Sequence, residues 1–240
     1  MPNHVKNIVK MEGITKLPLF KTEYDEYEKR DVVCFDFNKI IPMPESLNMV
    51  SGSLETLAIE AVNRRLSQRR YRFQQGYSKP QMTDEEYRIR LESHEKTEEE
   101  LLELGLQYIS NKVKYGATTW YDWCCDNWGT KWNAYSNEQE DEDTISFETA
   151  WSNPEPVMLK LSEMYPEATI EHWWADEDMG SNDGHRIYQG GQIIDGDYCD
   201  SCSNEAYEVY TNRTRGRYRN HGAASFRPRP DTDTRFRPST

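Results

Sequence analysis

Residues 144–175, TISFETAWSNPEPVMLKLSEMYPEATIEHWWA, decide the fold. Ile145, Phe147, Thr149 and Trp151 alternate with Thr144, Ser146, Glu148 and Ala150, a period of two that predicts a half-buried strand. Pro154 and Pro156 then sit where the first turn of a helix tolerates proline, and Val157, Met158, Leu161, Met164 and Tyr165 give that helix a buried face before Pro166 stops it. Ala168–Ala175 reads as a second strand through Ile170, Trp173 and Trp174.

Downstream, Gly190-Gly191 between Ile187-Tyr188 and Ile193-Ile194 predicts a two-residue hairpin. After about Asn212 the chain turns to Arg, Pro, Thr and Asp with little to bury, which predicts a disordered, Arg-rich tail over 212–240. Upstream, Thr118 or Thr119 can cap a short helix carrying Trp120, Trp123, Cys124 and Trp128, with Gly129 suited to its left-handed terminus. Leu54, Leu57, Ala58, Ala61, Val62 and Leu66 recur at helical spacing from Ser53 to about Phe73. Thr83 with Glu86 and Thr97 with Glu100 form two capping boxes, and Leu102, Leu106, Ile109 and Val113 give one apolar stripe. Residues 45–114 thus read as a helical insertion. At the N-terminus 4–11 and 31–37 read as strands, separated by a charged segment with the character of a short helix. The expected organisation is a core of 1–44 and 115–211 interrupted by that insertion.

Seven Trp and fifteen Tyr in 240 residues argue against a wholly disordered chain despite a mean hydropathy of -0.96. No run approaches the roughly 18 apolar residues of a membrane span, and Met1-Pro2-Asn3-His4 does not open like a signal peptide, so a cytosolic protein away from membranes is expected. Cys34, Cys124, Cys125, Cys199 and Cys202 are odd in number and fit reduced thiols. The net charge of -13 is uneven: 212–240 holds eight Arg and two Asp, leaving 21 basic and 40 acidic residues, net -19, in 1–211. Such a body repels nucleic acid and attracts basic clefts.

Met1-Pro2-Asn3-His4, the run Phe35-Asp36-Phe37-Asn38-Lys39-Ile40-Ile41-Pro42-Met43-Pro44-Glu45, Trp120-Tyr121-Asp122-Trp123 with Asn127-Trp128-Gly129-Thr130-Lys131-Trp132, and Phe147-Glu148-Thr149-Ala150-Trp151-Ser152 together resemble the YubB-type ferredoxin-like family, proteins of unknown function carried by phages and plasmids. The resemblance spans roughly 1–195 outside the insertion. It implies an α+β fold, a βαββαβ core with an antiparallel sheet, to which this chain adds the helical insertion and the C-terminal hairpin. It implies no iron–sulfur cluster, and these Cys spacings match none. It brings no catalytic residues. The insertion, the Cys199-x-x-Cys202 pair and the tail depart from it.

All seven Trp lie between 120 and 174, and Trp132, Trp173 and Trp174 are the ones expected to be partly exposed, in a patch suited to protein or base contacts. With the acidic run Glu138, Glu140, Asp141, Glu142 and Asp143 they are the expected surface for a host protein or protein–nucleic-acid complex. The alternative is a single-stranded nucleic-acid binder that stacks bases on sheet aromatics and grips phosphates with Arg64, Arg65, Arg69, Arg70, Arg72, Arg213, Arg215 and Arg217. For the first Arg group the bland reading is a helix face neutralised by the following Glu-rich helix. Cys199 and Cys202 have zinc-ligand spacing but lack a second pair, and Asp176, Glu177, Asp178 and Asp183 lack a calcium-loop spacing, so no metal, cofactor or catalytic set is assigned. A metal-dependent enzyme stands third.

Overall fold

The computed structural model describes residues 3–26, 29–68 and 81–214. In chain order its elements are β1 (His4–Lys10), β2 (Phe20–Asp25), β3 (Arg30–Phe35), α1 (Ser53–Gln68), α2 (Asp84–Ser93), α3 (Glu98–Tyr115), α4 (Trp120–Trp128), β4 (Tyr135–Gln139), β5 (Thr144–Ala150), α5 (Glu155–Met164), β6 (Ile170–Asp176), β7 (Gly184–Gln189), β8 (Gln192–Tyr198) and α6 (Asn204–Thr214). Six strands form one sheet in the order β4-β5-β1-β6-β7-β8, every neighbouring pair antiparallel. Within it β1, α4, β4, β5, α5 and β6 trace the βαββαβ path of a ferredoxin-like fold, and β7 and β8 extend one edge.

The segment after β1, expected to be a short helix, is instead a 3-10 turn at Ile14–Lys16 followed by β2. Strand β3, expected over 31–37 as part of the core, pairs with β2 in a separate two-stranded sheet. The reason is local: Phe20 packs on Phe35, whose ring also meets Phe37 and Phe147, so the hairpin is pinned by its aromatic end onto the main core. The backbone N–H groups of Phe35 and Phe37 are satisfied by the side chains of Asn137 and Asn133. Of the described residues within 1–44, then, only β1 joins the main sheet, although Phe35, Phe37 and Ile40 share one apolar core with Val9, Ile145, Phe147, Leu161 and Tyr188.

The insertion builds a second, smaller core from Leu57, Ala58, Ala61, Leu101 and Tyr108. Both expected capping boxes are present, Thr83 with Glu86 and Thr97 with Glu100. The expected stripe on α3 is not the buried one. Leu101, Gly105, Tyr108 and Asn111 face inward, whereas Leu106 and Val113 are 59% and 84% exposed. Gly105 explains the rotation: a Cβ there would meet the Ala58 carbonyl oxygen at 2.2 Å, so α1 and α3 touch backbone to backbone along that line. Tyr108 and Asn111 then donate to the carbonyls of Val50 and Ser46 at 2.7 Å each.

Strand β5 is not half-buried. It lies between β4 and β1, and six of its seven residues are buried on one face or the other. At its side, Asn7 of β1 donates to Thr149 Oγ1 of β5 at 2.9 Å and accepts from His172 Nε2 of β6 at 3.0 Å. With Nε2 as donor, His172 Nδ1 is a bare acceptor with no partner among the described residues. Burial, with the nearby His185 adding to it, holds the imidazole pKa down at about 3.

Two outcomes follow from this packing. Gly105→Val should cost about 1–3 kcal/mol in urea unfolding by forcing α1 from α3; a midpoint unchanged from wild type would contradict the backbone contact. Because His172 is neutral when folded and takes a proton below its ordinary 6.5 when unfolded, stability should be fully present above pH 6.5 and fall with pH towards 3, by up to about 1.4 kcal/mol per unit. His172→Gln should flatten that slope in denaturant titrations across the window, and an unaltered slope would exclude His172 as its source.

Candidate interaction surface

At the end of β5 the chain assembles an aromatic patch around one cation. Helix α4 starts on Thr119, whose hydroxyl accepts the Tyr121 N–H, and stops at Gly129, whose φ of 76° is left-handed. Thr130 then clips this loop to the sheet: its hydroxyl donates to the Ala150 carbonyl at 2.8 Å and accepts the Ala150 N–H at 3.1 Å. Ser152 donates to the Gly129 carbonyl. These bonds bring Lys131 and Trp132 beside Trp151. The Lys131 ammonium lies 4.7 Å from the Trp132 ring centroid, 4.8 Å from that of Trp151 and 5.5 Å from that of Tyr121.

Trp151 is the residue that the periodicity misplaced. It follows β5 rather than ending it, is 44% exposed, and adopts φ 72°. For a bulky non-glycine residue that backbone is strained, at a cost of order 1–3 kcal/mol. Its main chain is held from both sides: the N–H donates to the Asn3 carbonyl at 2.9 Å, and its carbonyl accepts from Asn182 Nδ2 at 3.0 Å. The usable signal in the sequence was the Ser152-Asn153-Pro154 turn directly after it.

Trp132, 37% exposed, meets Tyr135 edge-on at 6.2 Å, which continues the patch toward His4. The Tyr135 hydroxyl donates to the Thr149 carbonyl at 3.1 Å, so its oxygen accepts from His4 Nδ1 at 2.8 Å. Burial first, then the negative charges of Glu148 and Glu177, push the Tyr135 pKa up to about 12, keeping the phenol neutral.

The other expected residues do not join this patch. Trp174, expected to be partly exposed, is 1% exposed and lies against His172 and Tyr198; Gly184 makes the room, since a Cβ there would meet the indole at 2.2 Å. Trp173 is half-buried and stacks on His185 with centroids 4.8 Å apart. The acidic run sits at the opposite end of β5, about 20 Å away along the strand. Part of it is structural: Asp143 accepts the Gly13 N–H, Glu142 pairs with Lys16, and Asp141 accepts the Asp143 N–H. Glu138 and Glu140 are exposed, with Lys6 at 3.9 Å from Glu138.

Arg64 is likewise committed. It pairs with the buried Glu60 and with Asp84, donates to the Met82 carbonyl and covers the Tyr87 ring. Arg65 is exposed near the end of α1. The side chain of Arg213, and Arg69, Arg70, Arg72, Arg215 and Arg217, lie outside the described residues, as does the tail beyond Thr214. Cys199 is half-buried with its thiol pKa pushed up to about 11, chiefly by burial and then by neighbouring carboxylates, while Cys202 is exposed. Among the described residues no three His, Cys, Asp or Glu side chains converge as metal ligands. Asp176 and Asp183 organise the turn after β6: Asp176 accepts from Asn3, Asn182 and the Asp178 N–H, and Asp183 accepts the Asp176 N–H. No helix among the described residues is long and apolar enough to cross a membrane.

Comparison with known proteins places one part of the chain. A protein api92 from Yersinia pseudotuberculosis aligns structurally with 85% of this chain and 100% of its own, at 12% sequence identity and a TM-score of 0.36. No curated protein matches the sequence. Residues 131–215, from the loop that carries Lys131 and Trp132 to just past the end of α6, match the family model described as the ferredoxin-like domain in Api92-like protein, and that segment is therefore similar to the Api92-like ferredoxin-like domain.

Proposed function

We propose that this chain is a non-catalytic accessory protein of a mobile element, of the YubB-like phage and plasmid type, acting in the host cytosol. It binds a host protein or protein–nucleic-acid complex of defence or nucleic-acid processing, and interferes by occupying it. The observation that carries the reading is Trp151: a large apolar side chain half in solvent, in a costly left-handed backbone, fixed beside Trp132, Tyr121 and Lys131. Strain of this kind is kept where the exposed group is used, and rigid Trp and Tyr side chains are the usual anchors of protein interfaces. The acidic body would steer the approach to a basic partner, with the patch supplying short-range affinity.

The nucleic-acid reading draws less support. Of the sheet tryptophans expected to be exposed, Trp174 is buried and the ring of Trp173 already stacks on His185, and Arg64 is engaged within the insertion. Stacking platforms for bases need open ring faces in a positive groove.

Trp151→Gly separates the anchor from the fold, because glycine is at ease at φ 72°. The variant should unfold at the wild-type midpoint or higher yet lose at least about tenfold in partner affinity, as a hot-spot residue would. Equal loss of stability and binding would mark Trp151 as a structural residue. The partner itself would come from a tagged full chain purified from a bacterial host with and without nuclease, at low and high salt. A protein complex that survives nuclease and is lost with Trp151→Gly is expected, whereas recovery of nuclease-sensitive RNA or DNA would transfer the assignment to the nucleic-acid binder.

A further inference from the structure

Lys131 sits at the centre of the aromatic patch, and the rings around it define what the patch can hold. Its ammonium faces Trp132, Trp151 and Tyr121 at 4.7, 4.8 and 5.5 Å from the ring centroids. The negative face of an aromatic ring attracts a cation, and rings turned on one point from several sides make a cage for it. The Tyr121 and Trp151 rings are close to perpendicular, at 84° with centroids 6.4 Å apart, so they bound that space from two directions. This shape suits a compact ammonium, whereas a planar guanidinium stacks flat on one ring.

The walls are held more firmly than the occupant. Tyr121 is set by the Thr119 cap at its N–H and by Trp120, edge-on at 5.8 Å. Trp151 is fixed through its main chain, and Thr130 ties the loop before Lys131 and Trp132 to β5. Lys131 is half-buried, and among the described residues no carboxylate lies within ion-pair distance of its ammonium. Only the rings hold the tip of a flexible four-carbon stem.

The electrostatic setting favours a cation over an anion. Asp122 and Asp126 of α4 are exposed beside the patch. Burial first, then these two aspartates, push the Cys125 thiol pKa up while Lys131 pulls it down, which places all three charges around one side chain. Residues 1–211 carry 21 basic and 40 acidic side chains, net -19. We propose that Trp132, Trp151 and Tyr121 form a cage for a lysine ammonium of the partner, and that Lys131 is its resident occupant, which swings out when the partner's lysine enters. The inference rests on reading the patch as the partner-binding surface. Because it is tethered, Lys131 competes at an effective concentration of order millimolar. An isolated ammonium is therefore held off, and a lysine delivered by a larger docked surface gains entry.

Lys131→Ala in the full chain empties the cage, and tetramethylammonium chloride is the probe. Binding is read from the indole N–H signals of Trp132 and Trp151 in isotope-labelled protein, with sodium chloride matching ionic strength and tert-butanol as a neutral molecule of similar shape. The variant should show saturable shifts at about fivefold lower probe concentration than the wild type, and no saturable response to tert-butanol. Adding Trp132→Leu to Lys131→Ala should weaken the response again, with the unfolding midpoint close to that of Lys131→Ala. No saturable shift in a folded Lys131→Ala protein, or an equal response to tert-butanol, would overturn the cage. Saturable shifts with sodium acetate in the wild type that vanish in Lys131→Ala would overturn it in favour of a carboxylate ligand on Lys131. Failure of the cage is separable from failure of the reading beneath it. Absent probe binding, with the co-purifying complex still lost in Trp151→Gly, strikes the cage alone; probe binding, with that complex retained in Trp151→Gly, strikes the partner reading and the partner's lysine with it.

Discussion

Asn7 is the side chain on which the sheet depends. Its amide bonds to Thr149 on one side and His172 on the other, so three neighbouring strands, drawn from the two ends of the chain, are fixed in register by one buried polar group. A slip of one residue in β1 would turn Asn7 out and bring Lys6 or Ile8 to face that interior, leaving Asn7's buried partners, Thr149 and His172, without its amide. The neutral imidazole follows from the same constraint: with Nε2 donating to Asn7, a second proton would have to sit on a buried nitrogen with no acceptor among the described residues.

β1 is closed between β5 and β6, and the described residues from Met11 to Ala134 lie outside the main sheet before β4 returns to it. The chain does this with two small structures. The β2–β3 hairpin is anchored by Phe20 and Phe35, and Asn133 and Asn137 on the incoming β4 side supply acceptors for its free amides. The helical insertion has its own apolar core, and its buried Glu60 is paired with Arg64 while accepting the N–H groups of Gln81 and Met82. Arginines that look available in the sequence are in part consumed in closing this loop.

Charge and strain are distributed to the rim. The acidic run at the β4–β5 turn ties down the turn at Met11–Lys16, the strained Trp151 stands at the other end of β5, and β8 carries its aspartates on the outer edge. The sheet thereby separates three surfaces of different chemistry that in sequence lie within 60 residues of each other.

Sequence alone determined what depends on neighbours in the chain. The proline-bounded α5, the two capping boxes, the Gly129 stop and the Gly190-Gly191 hairpin were legible because their hydrogen bonds close within a few residues. The antiparallel α+β class was legible too, through motifs spread along the chain. Tertiary structure decided the rest. Tyr135–Gln139 is polar throughout and becomes a strand only by pairing with β5; α3 turns Leu106 and Val113 outward because Gly105 admits Ala58; Trp174 is buried because Gly184 has no side chain opposite it. Trp151 is exposed because the Asn3 and Asn182 contacts fix its backbone after β5 has ended. In each case the deciding atom lies on another element, and a periodicity read along one segment carries no information about the space that a distant residue leaves open.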